Sequence, residues 1–325
     1  MRIVITGGAG FLGSLLARRI LERGALVDVE GRSREIRAVT LVDLVPAHAA
    51  DARVASVSGD LADPAFVERA IADDTDSVFH FAAVVSGEAE ADFDRGMRVN
   101  VDATRILLER CRKLARTPKL VFASSLAVFG AGVREPVGDD APVMPQTSYG
   151  AQKAIGELLV NDMSRKGFVD GRSLRLPTVT VRPGKPNRAA SSFASGIIRE
   201  PLAGVTAVCP VADTTRMWVT SPQAVIENIV VAHDAPASAF TGTRSLNVPG
   251  LSVSMREMAD ALRAVAGDAV AERIEWRIDP VVDRIVRSWP ARFAPERGLA
   301  LGMRGDTSFE AIVAAYRASD GSRRA

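Results

Sequence analysis

Short apolar runs alternate with amphipathic helical patterns through the first half of the chain. Short apolar runs predict strands at residues 2–6, 39–43, 53–58, 77–81 and 120–124, the first of them buried. Apolar residues at intervals of three and four predict helices at residues 10–22, 64–72, 92–116 and 148–166. Strands that alternate with helices need crossover connections, which place the strands side by side in a parallel sheet covered on both faces. The pattern therefore predicts a doubly wound α/β fold.

The second half is less regular because prolines interrupt it repeatedly. Helical spacing recurs there at residues 221–233, 254–266 and 308–317. We expect a nucleotide-binding domain over residues 1–175 and a smaller α/β substrate-binding domain over residues 176–325. The chain is free to cross back between the two.

Composition narrows the possible partners. The 325 residues carry a formal net charge of +2, and no long run of like charges occurs, so neither nucleic acid nor a membrane surface is indicated as a partner. No apolar run reaches the ~18 residues that a membrane span needs, and the first strand leads straight into glycines rather than an export signal. We expect a cytoplasmic protein. Cys111 and Cys209 lack metal-ligand spacing, so no metal site is predicted.

A glycine-rich loop joins the first strand to the first helix. Gly7, Gly10 and Gly13 follow the spacing G-x-x-G-x-x-G, and Phe11 and Leu12 open the helix. Such glycines permit a tight turn, close approach of the backbone to a pyrophosphate, and packing of the helix on the strand. The free N–H groups of the helix then bind the phosphates. Together with the alternating pattern, the loop predicts a Rossmann domain that binds a dinucleotide.

An acidic residue after the second strand would accept hydrogen bonds from the adenosine ribose and repel a 2′-phosphate. Glu30 lies at the usual distance along the chain, whereas Asp43 ends a proper apolar strand. We favour Asp43 and read residues 30–35 as an inserted loop. Either residue predicts NAD, although Arg32 and Arg34 would suit the 2′-phosphate of NADP if the loop folded back.

Two further strand ends carry candidate cofactor contacts. Asp60 and Leu61 follow the third strand, where a carboxylate would accept from the adenine amino group. Ala82 and Ala83 follow the fourth strand, where small side chains let the backbone pass beside a cofactor. Ligands of open α/β sheets bind at these carboxyl ends.

Tyr149 and Lys153 are the candidate catalytic pair. They lie four residues apart in a predicted helix and so share one face. A nearby cation stabilises phenolate, so we expect Lys153 to lower the pKa of Tyr149 toward neutrality and make it a usable base. Ser124 and Ser125 end the fifth strand, and a hydroxyl there would orient the reacting oxygen of a substrate.

These segments resemble the extended short-chain dehydrogenase/reductases. They occur in motif order between residues 1 and 185 as Thr6–Gly13, Gly59–Leu61, His80–Ala83, Asn100, Ser124–Gly130 and Tyr149–Lys153. The resemblance implies a Ser–Tyr–Lys mechanism with Ser125 as the serine, a nicotinamide cofactor that also contacts Pro177, and Asn100 positioning a relay water on Lys153. It also implies a homodimer formed through helices 92–116 and 148–166. Phe129 replaces the tyrosine usual in the family, at a position outside the chemistry.

A closer likeness, to the D-erythronate dehydrogenase group, extends over nearly the whole chain. It is carried by residues 84–93, 176–190, 195–202 and 216–222 and by Trp289-Pro290. It implies NAD-dependent oxidation of the C2 hydroxyl of a short sugar acid, D-erythronate, to the 2-oxo acid.

Basic residues of the second domain suit such a small, acidic substrate. Arg182, Lys185, Arg188 and Arg216 fall in segments expected to face the cofactor, and arginine binds carboxylates with two parallel hydrogen bonds. The predicted substrate contacts, besides Ser125 and Tyr149, are Ser86, Lys185, Asn187 and Arg216. Trp218 and Trp289 are expected in the core.

Two other functions use the same residues. A nucleotide-sugar epimerase or dehydratase would retain its NAD and return the hydride, so it would show no net redox change. A non-catalytic NAD(H)-sensing protein would need no catalytic residues, and the intact Ser125, Tyr149 and Lys153 argue against that reading.

Overall fold

The fold is described by a computed structural model that covers residues 1–48, 50–184, 186 and 188–324. The strands are β1 (Arg2–Thr6), β2 (Ala25–Val27), β3 (Ser33–Glu35), β4 (Ala38–Asp43), β5 (Val54–Ser58), β6 (Ser77–His80), β7 (Lys119–Ser125), β8 (Val137–Gly138), β9 (Asp170–Leu176), β10 (Thr178–Val179), β11 (Ala207–Cys209), β12 (Arg216–Thr220), β13 (Ser245–Asn247), β14 (Leu251–Ser254), β15 (Ile274–Trp276) and β16 (Phe293–Ala294).

The α-helices are α1 (Phe11–Arg23), α2 (Pro64–Ala70), α3 (Ser86–Ala91), α4 (Phe93–Gly96), α5 (Ala103–Cys111), α6 (Ser148–Arg165), α7 (Phe193–Leu202), α8 (Pro222–Asp234), α9 (Met255–Ala266), α10 (Asp268–Ala271), α11 (Pro280–Arg287), α12 (Glu296–Ala300) and α13 (Phe309–Arg324). A π-helical turn spans Met97–Asp102, and short 3₁₀ helices span Leu126–Val128 and Ala237–Ala239. Within these described residues, no helix is long and apolar enough to cross a membrane.

Seven strands form the central sheet in the order β13-β9-β7-β6-β1-β4-β5, and every neighbouring pair is parallel. The strand order reverses at β1, which places β4 on one side and β6 on the other. The predicted Rossmann fold is confirmed. Ligands of such sheets bind where the order reverses, at the carboxyl ends of β1 and its neighbours.

The inner strand β1 is buried on both faces, which explains its continuous apolar run. Ile3 and Ile5 of β1 pack on one face with α1 and α8, and Val4 between them packs on the other face with α2, α5 and α6. All three side chains are at most 1% exposed. Successive residues of one strand therefore serve two separate cores.

The chain returns to this sheet late in the sequence. Strand β13 pairs with β9 at the edge of the sheet, and α8 packs against β7 and β9. Elements from beyond residue 175 thus complete the first domain.

A second core lies on the other side of the strand ends. It gathers apolar residues from α7, α9, α13 and the small sheet β10-β12-β14. Strand β10 begins two residues after β9 ends, so the chain passes directly from the nucleotide-binding sheet into this second unit. The cleft between the two units is the natural place for a ligand.

The single helix predicted over residues 92–116 is wrong. The Asp92 side chain accepts from the N–H of Arg95 and so caps a new short helix, α4, and the π-helical turn follows before α5 ends at Cys111. The apolar spacing runs through all these pieces, whereas the breaks depend on one capping contact and one wider turn. The loop expected at residues 30–35 is also corrected, because Ser33–Glu35 pairs with Ala25–Val27 as a β-hairpin.

Candidate active site

A cavity of about 680 Å³ lies between the carboxyl ends of the central strands and the second unit. Its volume is typical of small-molecule sites. All of the predicted cofactor contacts line it: Gly7, Gly10, Phe11, Leu12, Gly13, Asp43, Asp60, Leu61, Ala82, Ala83, Tyr149, Lys153 and Pro177. The predicted substrate contacts Ser86, Ser125 and Arg216 line it as well. Lys185 and Asn187 lie outside the described residues.

The glycine loop can admit no side chain at its critical positions. Gly7 has φ +68°, and a Cβ there would lie 2.8 Å from the Ala82 nitrogen. A Cβ on Gly13 would lie 2.3 Å from the Gly7 oxygen. Helix α1 begins after Gly10 with neither a capping side chain nor an acidic residue in its first turn. The backbone is thus a bare helix N-terminus at the cavity, which fits the diphosphate of a dinucleotide.

Asp43 and Glu30 compete as the ribose-binding acid, and the structure separates them. The Asp43 carboxylate ends β4 at the cavity and accepts from the N–H groups of Ala9 (3.0 Å) and Leu44 (2.7 Å). These bonds fix the carboxylate beside the glycine loop. Glu30 belongs to the hairpin turn, where it pairs with Arg32.

Arg32 and Arg34 both pair with Asp28 within the same hairpin. Their charges are thus committed away from a 2′-phosphate site. Asp60, at the adenine end, accepts from the Ala62 N–H and pairs with Arg98, so its carboxylate is already held by two neighbours.

A buried hydrogen-bond network supports the backbone beside the cavity. The Thr104 hydroxyl donates to the Asn100 carbonyl, so its oxygen accepts from Nε2–H of His80. The Thr6 hydroxyl then donates to Nδ1 of His80 (2.7 Å), while its oxygen accepts from the Ala82 N–H. Burial lowers the pKa of His80 to about 3, which keeps the ring neutral in this network.

The two serines at the end of β7 have different surroundings. The Ser124 hydroxyl donates to the buried Glu157 carboxylate (2.5 Å). The Ser125 oxygen accepts from the Ala127 N–H (3.1 Å), and the Ser125 hydroxyl interacts with the Tyr149 phenol and lowers its pKa. Ser125 is therefore the serine that faces the phenol.

Thr147 starts the helix that carries the catalytic pair. Its side chain accepts from the Gly150 N–H and caps α6 two residues before Tyr149. A Cβ on Gly150 would lie 2.1 Å from the Ala127 oxygen, so this glycine lets α6 approach the end of β7 closely. Cap and close approach together bring Tyr149 to Ser125.

Lys153 is buried one turn further along α6, and its Nζ donates to the Ala123 carbonyl (2.9 Å). Nζ lies 5.7 Å from the centre of the Tyr149 ring and 4.8 Å from that of Phe122. Burial lowers the pKa of the ammonium to about 7, against the opposing charge of Glu157.

The expected effect of Lys153 on Tyr149 needs correction. Burial raises the pKa of Tyr149 to about 12, and the groups that pull it back down are Ser125 and the cation of Arg182. Lys153 is turned to the Ala123 carbonyl instead. Helical spacing identified the neighbours correctly, but desolvation of the phenol outweighs the charge one turn away.

Asn100 has a different contact from the one predicted. Its Oδ1 accepts from the Val84 N–H (2.8 Å), and its Nδ2 donates to the Val84 carbonyl and to Gln152 Oε1. Both ends of the amide are thus engaged away from Lys153. Asn100 holds the strand-end segment that forms one wall of the cavity, which makes it a positioning residue.

On the substrate side, the Ser86 oxygen accepts from the Ala190 N–H (3.1 Å), which joins the two walls of the cleft. Arg216 lies at the rim with its guanidinium held by Glu257 at 2.9 and 3.2 Å. That pairing already neutralises its charge, so the geometry does not support the predicted role of Arg216 in binding substrate.

Sequence reasoning missed Glu157 and did not single out two further contributors to this site, Arg182 and Trp289. Glu157 lies four residues after Lys153, just as Lys153 lies four residues after Tyr149, so its place on the same face of α6 was visible in the sequence. Arg182 was one of four basic candidates, and nothing local distinguished it. Trp289, expected in the core, lines the cavity, and its indole N–H has no hydrogen-bond partner among the described residues.

Known proteins resemble this chain over most of its length. Residues 3–242 match the model of the NAD dependent epimerase/dehydratase family. The chain is 55% identical to D-erythronate dehydrogenase of Cupriavidus necator (97% of this chain, 98% of that protein) and 43% identical to D-erythronate dehydrogenase of Haemophilus influenzae (96% and 98%). A crystal structure from Agrobacterium tumefaciens, described as a nucleoside-diphosphate-sugar epimerase, superposes with a TM-score of 0.92 at 39% identity (99% of this chain, 95% of that chain).

Proposed function

The chain belongs to the NAD dependent epimerase/dehydratase family and is an NAD-dependent oxidoreductase acting on a CH–OH group, and we propose that it oxidises D-erythronate. The reaction converts the C2 hydroxyl of this short sugar acid and yields 2-dehydro-D-erythronate. The observation that carries the chemistry is the contact of Ser125 with Tyr149 at the cavity that the glycine loop also lines. The choice of D-erythronate as substrate is supported by sequence identities of 55% and 43% with two D-erythronate dehydrogenases over nearly the whole chain.

The bare N-terminus of α1 would hold the diphosphate of NAD, and Asp43 would hold the adenosine ribose. Bound NAD supplies the hydride acceptor, nicotinamide C4, and a positive ring charge. Ala82 and Ala83 leave room for the cofactor at the end of β6. Lys153 lines the same cavity and would hold the nicotinamide ribose through an N–H that the Ala123 carbonyl does not use.

The residues around the Tyr149 phenol would carry out the transfer of the substrate's hydroxyl proton. Tyr149, as phenolate, takes the proton of the C2 hydroxyl as the hydride leaves C2. Ser125 donates to the same substrate oxygen and fixes its position. Burial raises the pKa of Tyr149 to about 12 even though Ser125 and the Arg182 cation lower it, so phenolate is a minor form near neutral pH.

The test is an NADH absorbance screen with purified protein and added NAD. Four- to six-carbon aldonates are offered in parallel with nucleoside-diphosphate sugars. We expect NADH to accumulate with D-erythronate. Isomerisation of a nucleoside-diphosphate sugar without net formation of NADH would establish an epimerase instead. If the protein binds NAD but converts neither the aldonates nor the nucleoside-diphosphate sugars, it would be a sensor.

We also propose a homodimer built on the face of α6. Leu158 and Ile155 lie three residues apart on this helix and are 70% and 36% exposed, and Phe93 on the adjacent α4 is 58% exposed. Three large apolar side chains on neighbouring helices are typical of a subunit interface. A second copy of the same face would cover them by twofold symmetry.

A further inference from the structure

Gln152 is a buried polar residue of α6 that lies directly before Lys153 but outside the lining of the cavity. Its side chain is 1% exposed, and a Cβ on Gly96 would lie 2.5 Å from its Nε2, so this glycine makes room for the amide. Oε1 accepts from Nδ2 of Asn100 (2.7 Å). Nε2 has no hydrogen-bond partner among the described residues. The acceptor oxygen is therefore the part of this amide that the fold uses.

Asn100 connects Gln152 to the wall of the cavity. It is 1% exposed and lies in the π-helical turn Met97–Asp102. Its Oδ1 accepts from the Val84 N–H, and its Nδ2 donates to the Val84 carbonyl as well as to Gln152. Both hydrogens of Nδ2 are thus in use. Without the Gln152 acceptor one of them would be buried and unpaired, which favours rotation of the amide away from Val84.

The segment that Asn100 holds forms the wall beside the reacting groups. Val84 and Ser86 line the same cavity as Ser125 and Tyr149. The Ser86 oxygen accepts from the Ala190 N–H of the second unit (3.1 Å). This short segment is thus anchored by the asparagine at one end and joined to the second unit at the other.

Consecutive residues of α6 anchor two neighbouring strand ends. The Lys153 Nζ donates to the Ala123 carbonyl at the end of β7. Gln152 reaches, through Asn100, the segment that follows β6, the strand beside β7. Because both anchors start from one turn of one helix, α6 fixes the catalytic lysine and the cavity wall relative to each other.

We propose that Gln152 is a positioning residue for the oxidation: through Asn100 it holds residues 84–86 at the separation from Tyr149 and Lys153 that the substrate requires. This inference rests on the proposed function. A displaced wall would let the substrate bind with its reacting carbon away from the phenol, and a displacement of about 1 Å can lower a rate about 100-fold.

Gln152→Met and Gln152→Glu separate the acceptor oxygen from the packing of the side chain. Methionine has a similar length and shape but only a weakly accepting sulfur. Glutamate keeps an oxygen in place of Oε1, and burial favours its neutral acid, so the substitution replaces only the Nε2 that has no described partner.

We expect Gln152→Met to lower kcat/KM for D-erythronate about 10- to 100-fold and Gln152→Glu to retain most of the wild-type value. The Kd for NADH, measured by fluorescence, should stay the same in both variants. Gln223→Met, on the exposed first turn of α8, is the matched control and should have wild-type kinetics. A wild-type kcat/KM in Gln152→Met, or an equal loss in Gln152→Met and Gln152→Glu, overturns the proposal.

A double variant tests whether Gln152 acts through Asn100. In an Asn100→Ala background, Gln152→Met should lower kcat/KM no further, because the contact that it removes is already lost. Losses that multiply in the double variant would show that Gln152 acts independently of Asn100 and would overturn the proposal.

Hydrogen exchange, measured by mass spectrometry, tests the same contact without a substrate. In Gln152→Met the peptide of residues 82–88, which contains the Val84 N–H held by Asn100, should exchange about 10-fold faster, while the peptide of β1 exchanges as in the wild type. If no aldonate is oxidised, the proposed function fails, yet faster exchange confined to residues 82–88 still supports the positioning contact. Unchanged exchange there, or faster exchange across the whole central sheet, overturns the inference.

Discussion

Lys153 and Glu157 lie one turn apart on α6, and the Glu157 carboxylate opposes the burial that lowers the pKa of the Lys153 ammonium to about 7. The same carboxylate accepts from Arg175 at 2.9 Å and from the Ser124 hydroxyl. Glu157 therefore joins α6, β7 and β9 behind the catalytic residues. Tyr149 and Lys153 line the cavity, whereas Glu157, one turn further along α6, holds the buried ion pair that supports them.

Replacing Glu157 should destabilise the protein strongly. The side chains of Glu157 and Arg175 are 6% and 4% exposed, so Glu157→Gln leaves a buried guanidinium without its counter-charge. We expect a loss of about 3–5 kcal/mol in the free energy of unfolding, measured by urea denaturation.

Asp162→Asn is the matched control for that substitution, because Asp162 pairs with Arg165 on the exposed face of the same helix. Its cost should stay below about 1 kcal/mol. Equal losses of unfolding free energy in the two variants would show that the buried ion pair stabilises the protein no more than the exposed one.

Asp43→Asn should weaken the use of NAD. The substitution removes the negative charge held beside the glycine loop, which would accept from the adenosine ribose. We expect KM for NAD to rise about 10- to 100-fold. The ratio of kcat/KM for NAD to kcat/KM for NADP should fall. Glu30→Gln, in the hairpin, should leave both unchanged, and a larger effect there would reverse the assignment of the ribose-binding acid.

The rate of oxidation should rise with pH. Phenolate is the form that accepts the hydroxyl proton, and it is populated above the pKa of Tyr149, which burial raises. Initial rates of NADH formation at saturating NAD should therefore increase between about pH 6 and pH 10, with kcat/KM approaching about tenfold per pH unit. A rate that falls over that interval would exclude Tyr149 phenolate as the base.

Leu158→Arg should convert the proposed dimer to monomers. An arginine at the centre of the apolar face of α6 would bring an unpaired charge into the interface. Light scattering should report half the mass of the wild type, whereas Lys166→Ala, at the end of the same helix, should not change it. A wild type that is already monomeric would contradict the interface.

Short apolar runs predicted five of the seven strands of the central sheet, whereas the polar strand β9 and the three-residue strand β13 were not predicted. Runs such as Arg2–Thr6 leave no polar alternation, and the glycine loop then fixes where the first helix starts. The predicted start at Gly10 differs from the observed Phe11 only because Gly10 is the cap. Local patterns were sufficient wherever local contacts decide the structure.

Long-range contacts decide the rest. Asn100 turns toward Val84 and Gln152 because a π-helical turn interrupts a pattern that reads as one helix. The position of Arg182 depends on Ser195 and Arg199, which lie at least 13 residues later in the sequence. Spacing placed Tyr149 beside Lys153, and the resemblance implied Ser125 as their partner. The raised pKa of Tyr149 follows from burial, which spacing does not encode.

Replacement of Tyr149 by phenylalanine tests the central claim most directly. The substitution removes the hydroxyl that faces Ser125 and keeps the ring that fills the cavity wall. NADH formation from D-erythronate should fall about 100- to 10,000-fold while the fluorescence Kd for NADH stays that of the wild type. A Tyr149→Phe variant that oxidises the acid at close to the wild-type rate would contradict the account.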